Sequence, residues 1–295
     1  MSYHNQIPPT HDMRNKIVLI TGSTDGIGQQ TAIELARMGA KVIIHGRTET
    51  KALETVAQLS QRIGKGELDW VGGEFTSFSE VKKMAEEINN RYDKLDVLIN
   101  NAGVYKREKI ITTDGFETTF QVNHLSHFLL TNLLLDILQK AEHPKVIVVS
   151  SVAHMRAKLD FKNLNAEKSF DAYGQYAVSK LANILFAKKL SYNLNGTAVK
   201  VNSLHPGVIK TKLLSQGFEL SGSKVQFGAS IPTFLAADPH ASEINGQYFS
   251  KHFDLPVLPS EDAMNEKYQK KMWDMSEKLT GYKAPKKTRK KKAEA

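Results

Sequence analysis

Apolar positions along the chain fall into short runs separated by amphipathic stretches. Ile17-Val18-Leu19-Ile20, Val42-Ile43-Ile44, Leu95–Ile99, Val146–Val149 and Val199–Leu204 have strand length and carry many β-branched residues. Glu67–Val71 offers a further, more polar strand. Near-continuous apolar runs of this kind suit strands buried on both faces. Between them, residues 29–38, 52–63, 81–92 and 173–194 repeat apolar side chains every three to four positions and predict helices. Gly39 stops the first, and Ser77 or Ser79 suits the cap of the third. Residues 113–138 predict one long amphipathic helix carrying Phe116, Phe120 and Phe128. Residues 152–171 have no regular pattern, and 246–249 read as a last strand. Residues 261–280 predict a helix with Met264, Tyr268, Met272, Trp273 and Met275, suited to cover a pocket or a partner subunit. Strand and helix alternate about every 25–28 residues, which predicts βαβ units and an α/β, doubly wound parallel sheet in a single domain.

Composition narrows the choices. The absence of cysteine excludes disulfides, thiolate metal sites and cysteine nucleophiles. Residues 1–14 form a polar tail without the apolar core of a signal peptide, and no run approaches the length of a membrane span. A cytoplasmic location is expected. The net charge of +9 is concentrated at the C-terminus, where seven of the 40 basic residues lie within 283–292. With these and Glu294 set aside, 33 basic against 30 acidic side chains leave the body near +3. Residues 284–295 read as a basic disordered tail. An import-like signal or weak contact with RNA or anionic membrane is the alternative, and no specific nucleic acid is expected.

The chemistry gathers where predicted strands end. Thr21-Gly22-Ser23-Thr24-Asp25-Gly26-Ile27-Gly28 joins the first strand to the first helix. Glycines there let the backbone approach a phosphate, and the helix N-terminus supplies free N–H donors; a ligand-free tight turn is the bland alternative. The second strand ends in Gly46-Arg47 rather than an acidic residue. An arginine there suits a 2′-phosphate and so NADP(H) over NAD(H), unless it is only a surface side chain. Other strands end at Asn101, Ser151 and Pro206-Gly207. Asn123 lies inside the long helix, where asparagine is a poor helix former. Tyr176 and Lys180 stand four residues apart, on one face of a helix. An ammonium beside a phenol favours the phenolate.

Taken together these motifs resemble the short-chain dehydrogenase/reductase family. TGxxxGIG is matched by Thr21 to Gly28 and NNAG by Asn100 to Gly103, Asn123 falls in the long helix and Ser151 at a strand end, YxxxK is matched by Tyr176 and Lys180, and PGxxxT by Pro206 to Thr211. The resemblance spans about residues 15–250. Arg47, the VVSSVAH stretch and the SKLANILF helix bring it closest to the retinol-dehydrogenase-like branch. Three features depart from the pattern. An N-terminal apolar anchor is missing, the third strand ends in Glu74-Phe75 rather than Asp-Leu, and Asp25 puts a negative charge in the glycine turn.

The resemblance implies a Rossmann-type catalytic domain over 15–260 and a substrate lid near 212–228, followed by a C-terminal helix over 261–283. A surface helix pair is the plainer reading of the lid. Its Leu213, Leu214, Phe218, Leu220 and Val225 suit a bulky apolar substrate. The implied activity is NADP(H)-dependent hydride transfer to or from an apolar alcohol or carbonyl, of retinoid, steroid or xenobiotic type. Tyr176 would be general acid and base, Lys180 would lower its pKa, Ser151 would polarise the substrate oxygen and Asn123 would hold a water. Ser150 would be structural, and His154 and His205 packing or wall residues. Gly22, Ser23, Thr24, Asp25, Gly26, Ile27, Gly28, Arg47, Glu74, Phe75, Asn101, Ala102, Gly103, Pro206, Gly207, Val208 and Thr211 would line the cofactor together with Tyr176 and Lys180. No metal is expected, and relatives commonly form homodimers or homotetramers. The competing reading is a catalytically idle NADP-binding regulator or scaffold. A methyltransferase would leave YxxxK and PGxxxT without a task.

Overall fold

The computed structural model describes residues 11–63, 66–217, 221–250 and 254–283. Its first half alternates strand and helix as the apolar runs require: β1 (Ile17–Ile20), α1 (Gly26–Arg37), β2 (Lys41–Gly46), α2 (Glu49–Ile63), β3 (Glu67–Gly72), α3 (Phe78–Arg91) and β4 (Val97–Asn100). Three short helices follow, α4 (Thr118–Phe120), α5 (Ser126–Leu133) and α6 (Leu135–Leu138), with a π-helical turn at Gln121–Leu125 between the first two. The second half contains β5 (Lys145–Val149), α7 (Ala172–Asn193), β6 (Lys200–Leu204), α8 (Lys212–Gly217), α9 (Val225–Ala237), β7 (Tyr248–Phe249), α10 (Glu261–Met264) and α11 (Glu266–Thr280).

The strands form one parallel sheet in the order β3-β2-β1-β4-β5-β6-β7. Strand order reverses between β1 and β4, the point where loops diverge and open a crevice at the carboxyl ends. Alternate residues feed two cores. Leu19, Ile43, Val71, Leu98, Val146 and Val201 face α3, α5 and α7. Val18, Ile20, Val42, Ile44, Ile99 and Ile147 face α1, α2 and α9. Ser77 caps α3, accepting from the Glu80 N–H at 3.4 Å. No helix among the described residues is long and apolar enough to cross a membrane.

Two expectations are corrected. The predicted helix over 113–138 begins only at Thr118. Asp114-Gly115 makes a turn, with Gly115 at φ 86°, and the Glu117 carboxylate then caps Thr119 and Phe120 N–H, each at 2.8 Å. The helical path also widens into the π turn centred on Asn123 and breaks at Leu134. The second correction is α9, which the lid reading cut at residue 228. Gly228 and Pro232 disturb its apolar periodicity. Gly228 nevertheless lets α9 seat on α1, since a Cβ there would come within 2.9 Å of Ile27.

The C-terminal helix buries one face within its own chain. α11 packs on its own core, with the Trp273 ring 5.0 Å from Phe128 and 6.0 Å from Phe186. Trp273→Ala is expected to cost about 3–5 kcal/mol, as for other buried aromatics. Urea unfolding measures this, and a loss below about 1 kcal/mol would mean that α11 is peripheral.

Candidate active site

Four loops meet above β1, β4, β5 and β6, and side chain-to-backbone hydrogen bonds fix the first two to each other. The Thr21 hydroxyl accepts from Asn101 and Ala102 N–H, both at 2.9 Å, and the Asn101 amide donates to the Thr21 carbonyl at 2.8 Å. A Cβ on Gly22 would lie 2.8 Å from the Ala102 Cα, so only glycine admits this approach. Gly28 is equally confined, with the Asn101 amide 2.4 Å from a hypothetical Cβ. Ser23 is structural. Its hydroxyl donates to Ile20 O at 2.7 Å and accepts from His45 N–H at 3.0 Å. The buried His45 ring accepts from Gly22 N–H at 2.9 Å and donates to Gly73 O at 2.8 Å. Thr24, Asp25, Gly26 and Ile27 complete the turn on its solvent side, and Asp25 caps α1 by accepting from Gly26 N–H at 2.7 Å.

These loops fit a dinucleotide. The turn brings bare backbone and the first N–H groups of α1 to the crevice. Arg47 is exposed immediately beyond β2. Gly207, at φ 96°, and the exposed Val208 follow β6, and Thr211 caps α8. Pro206 lies half-buried beside them. Glu74 bonds within its own turn, to Thr76 N–H at 3.4 Å. Phe75 is buried between His45 and His127, with ring centroids at 4.8 and 5.1 Å, so its side chain packs beneath the crevice rather than lining it.

The proposed chemical groups converge. Tyr176, Lys180 and Ser179 are buried on α7, below Ser151 at the end of β5. The Ser151 hydroxyl hydrogen-bonds the Tyr176 phenol. Lys180 Nζ lies 5.6 Å from the Tyr176 ring centre and donates to Val149 O at 3.3 Å. A Cβ on Gly103 would stand 3.4 Å from Lys180 Nζ and 3.5 Å from Asn123 Oδ1, so these side chains meet at that glycine. Asn123 grips the loop after β4. Its Oδ1 accepts from Val104 N–H at 2.7 Å, and its Nδ2 donates to Val104 O and the Ser179 hydroxyl, both at 3.0 Å. The π turn at Asn123 is the kind of irregularity that recurs at functional sites.

Burial governs the charges. It raises the Tyr176 phenol to about 12, against a lowering by the Ser151 hydrogen bond. It lowers the Lys180 ammonium to about 8. The ammonium expected to draw the phenol down is thus weakened by the same desolvation. Ser150 is structural, donating to Lys180 O at 2.7 Å. His154 is a packing residue that donates to Ser151 O at 2.7 Å and accepts from Ser260 N–H at 3.1 Å. His205 sits half-buried, and burial lowers it to about 4.

The structure adds a wall that motif reading missed. Tyr105 and Tyr173 pack around Tyr176, with Tyr105 at a ring distance of 5.6 Å, and join Leu213, which the sequence already marked as suited to an apolar substrate. Tyr105 follows the NNAG loop directly, and aromatic residues beside a motif were the available signal. Helix α8 is tied to the loop after β4, as Arg107 Nε donates to Gln216 O at 2.9 Å. Phe218 and Leu220 lie outside the described residues.

Comparison with known proteins follows the same lines. A family model described as short chain dehydrogenase matches residues 16–219. Retinol dehydrogenase 14 from Mus musculus is 39% identical, covering 91% of this chain and 87% of that protein. Polyprenol dehydrogenase from Homo sapiens is 33% identical, covering 93% of this chain and 87% of the relative. An uncharacterized protein from Mycobacterium paratuberculosis has a crystal structure similar to this fold, with a TM-score of 0.78 and 30% identity over 93% of this chain and 97% of the other.

Proposed function

The chain belongs to the short chain dehydrogenase family and is an oxidoreductase of alcohol and carbonyl groups; on that premise we propose that it uses NADP(H) and a bulky apolar substrate, with Tyr176 as general acid and base. The observation that carries this reading is the meeting of Ser151, Tyr176, Lys180 and Asn123 beneath one crevice. When bound, NADP(H) supplies or accepts the hydride. Ser151 holds the substrate oxygen beside the phenol it already contacts. In reduction the protonated Tyr176 delivers its proton to that oxygen, and in oxidation the phenolate takes it back. Lys180 offsets the phenolate charge and steadies the loop end at Val149. Asn123 keeps the loop after β4 in place through Val104, so that Gly103 stays against Lys180.

Substrate class follows from the wall. Tyr105, Tyr173 and Leu213 surround the phenol, and Val152 and Met155 are exposed just beyond Ser151. A long hydrocarbon carrying one terminal alcohol or aldehyde suits this surface. The names of the two relatives are those of isoprenoid alcohol dehydrogenases, and we assign this chain the same broad class.

Arg47 carries the cofactor preference. Charge-assisted bonds from a guanidinium to a phosphate contribute about 1.5–3 kcal/mol. Arg47→Ala is therefore expected to weaken NADPH binding about 10- to 100-fold and to leave NADH affinity unchanged. Fluorescence titration with both cofactors measures it, and an unaltered NADPH affinity would refute the 2′-phosphate role.

A further inference from the structure

Asp25 is an unfavourable residue for a turn that receives a diphosphate. Its carboxylate stands at the N-terminus of α1, where the backbone donors attract anions. The structure gives it a partner from a distant part of the chain. Lys212, the first residue of α8, places Nζ 2.7 Å from Asp25 Oδ2. The bond from Lys212 is the largest influence holding the Asp25 carboxyl below its ordinary range, and Lys51 adds to it from α2.

This contact sits beside a paired stretch of backbone. Ile209 pairs with Ser223, Lys210 N–H donates to Ser223 O at 2.9 Å, and Ser223 N–H donates to Val208 O at 2.8 Å. Residues 208–210 and Ser223 are thus tied together, and Lys212 lies two residues beyond that tie. A Cβ on Gly26 would approach the Thr211 methyl to 3.3 Å, so the glycine turn and Thr211 are in near contact. A cleft of about 340 Å³ lies beside them, lined by Asp25, Gly26, Gln29, Thr211, Lys212 and Ser215 among others. Both charges are more than half exposed, and such a pair adds little to fold stability. Its consequence lies in the field at the turn.

We propose that Lys212 is a positioning residue for the dinucleotide: by pairing with Asp25 it cancels the one negative charge in the glycine turn that would receive the diphosphate. The inference rests on the reading of the crevice as a dinucleotide site. It assigns Asp25 and Lys212 a joint role, in which each residue is tolerated at this site because of the other.

The test is a double-mutant cycle read by fluorescence titration of NADPH and NADH, without turnover. Lys212→Met leaves Asp25 uncompensated at the helix N-terminus that would receive the diphosphate, and is expected to weaken both cofactors about tenfold. Both are affected because the diphosphate is common to them, whereas Arg47→Ala acts on NADPH alone. Asp25→Asn combined with Lys212→Met removes the repulsion and is expected to return both affinities to within about threefold of wild type. Lys212→Arg keeps the charge and is expected to bind as wild type. This variant also separates charge loss from any disturbance of the lid helix. Unchanged affinity in Lys212→Met overturns the proposal. So does a double variant as weak as Lys212→Met, because Lys212 would then act without Asp25. A wild-type protein that binds neither cofactor refutes the dinucleotide site itself, and the proposal with it.

Discussion

Tyr176→Phe is expected to reduce carbonyl reduction by NADPH about 10³-fold or more while leaving NADPH affinity within about threefold. The substitution removes one oxygen and keeps the ring that packs against Tyr105. Tyr176 is buried, and its phenol hydrogen-bonds the Ser151 hydroxyl. Ser151 accepts from Ala153 N–H at 3.2 Å and is not itself an acid of useful strength at neutral pH. His154 is committed at both ring nitrogens, to Ser151 O and Ser260 N–H. Phenylalanine has no proton to give, so the variant loses the acid assigned to this site. With the phenol raised to about 12 by burial, the donor stays protonated across the physiological range, and reduction should vary little with pH between 6 and about 8. Oxidation needs the phenolate and should accelerate as pH rises. A Tyr176→Phe variant that retains a tenth of the wild-type rate would remove Tyr176 from the proton path.

The second large effect is acid lability. His45, His124 and His127 are fully buried, and burial lowers them to about 4, 4 and 3 from an ordinary value of 6.5. Each is held neutral by built-in bonds. His45 bridges Gly22 N–H and Gly73 O, His124 meets the Ser276 hydroxyl at 2.8 Å, and His127 meets the Thr21 hydroxyl at 2.8 Å and Asn123 O at 3.0 Å. Because the folded pKa values lie below the unfolded one, the unfolded chain binds more protons from about pH 6.5 down to about 4. Stability is fully present above pH 6.5 and is lost as pH falls through that window. Three such groups give a slope of up to about 4 kcal/mol per pH unit, large against the usual 5–15 kcal/mol total. Between pH 6.5 and 5 most carboxylates remain ionised, so the histidines dominate the change. Urea midpoints at pH 7.5, 6.0 and 5.0 should fall steeply; a flat profile would mean that these rings are hydrated or already charged.

Sequence and structure agree where the chemistry depends on backbone pattern. The strand-to-helix turn at Gly22–Gly28, the ends of β4, β5 and β6, and the Tyr176–Lys180 helix follow from apolar runs and i,i+4 geometry. The parallel sheet order completes what the βαβ alternation predicted. The helix over 113–138 was overextended because Phe116 fits a helical repeat, while Asp114-Gly115 and the Glu117 cap decide where the helix begins. The π turn at Asn123 has no linear pattern, since it depends on Asn123 bonding Val104 and Ser179 from other elements. The same limit applies to Tyr105, which meets Tyr176 only through the folded loop, and to the Asp25–Lys212 pair, which joins residues 187 positions apart. The packing of the Phe75 ring between His45 and His127 also joins residues far apart in the chain.

The central claim is best tested by mixing the purified protein with a panel of apolar aldehydes and ketones, retinaldehyde and polyprenals among them, and following NADPH and NADH oxidation separately. The account predicts turnover with at least one long-chain aldehyde, faster with NADPH than with NADH, and absent in Tyr176→Phe. NADPH binding without turnover of any member, in either direction of the reaction, would contradict it and favour a cofactor-binding scaffold built on the same fold.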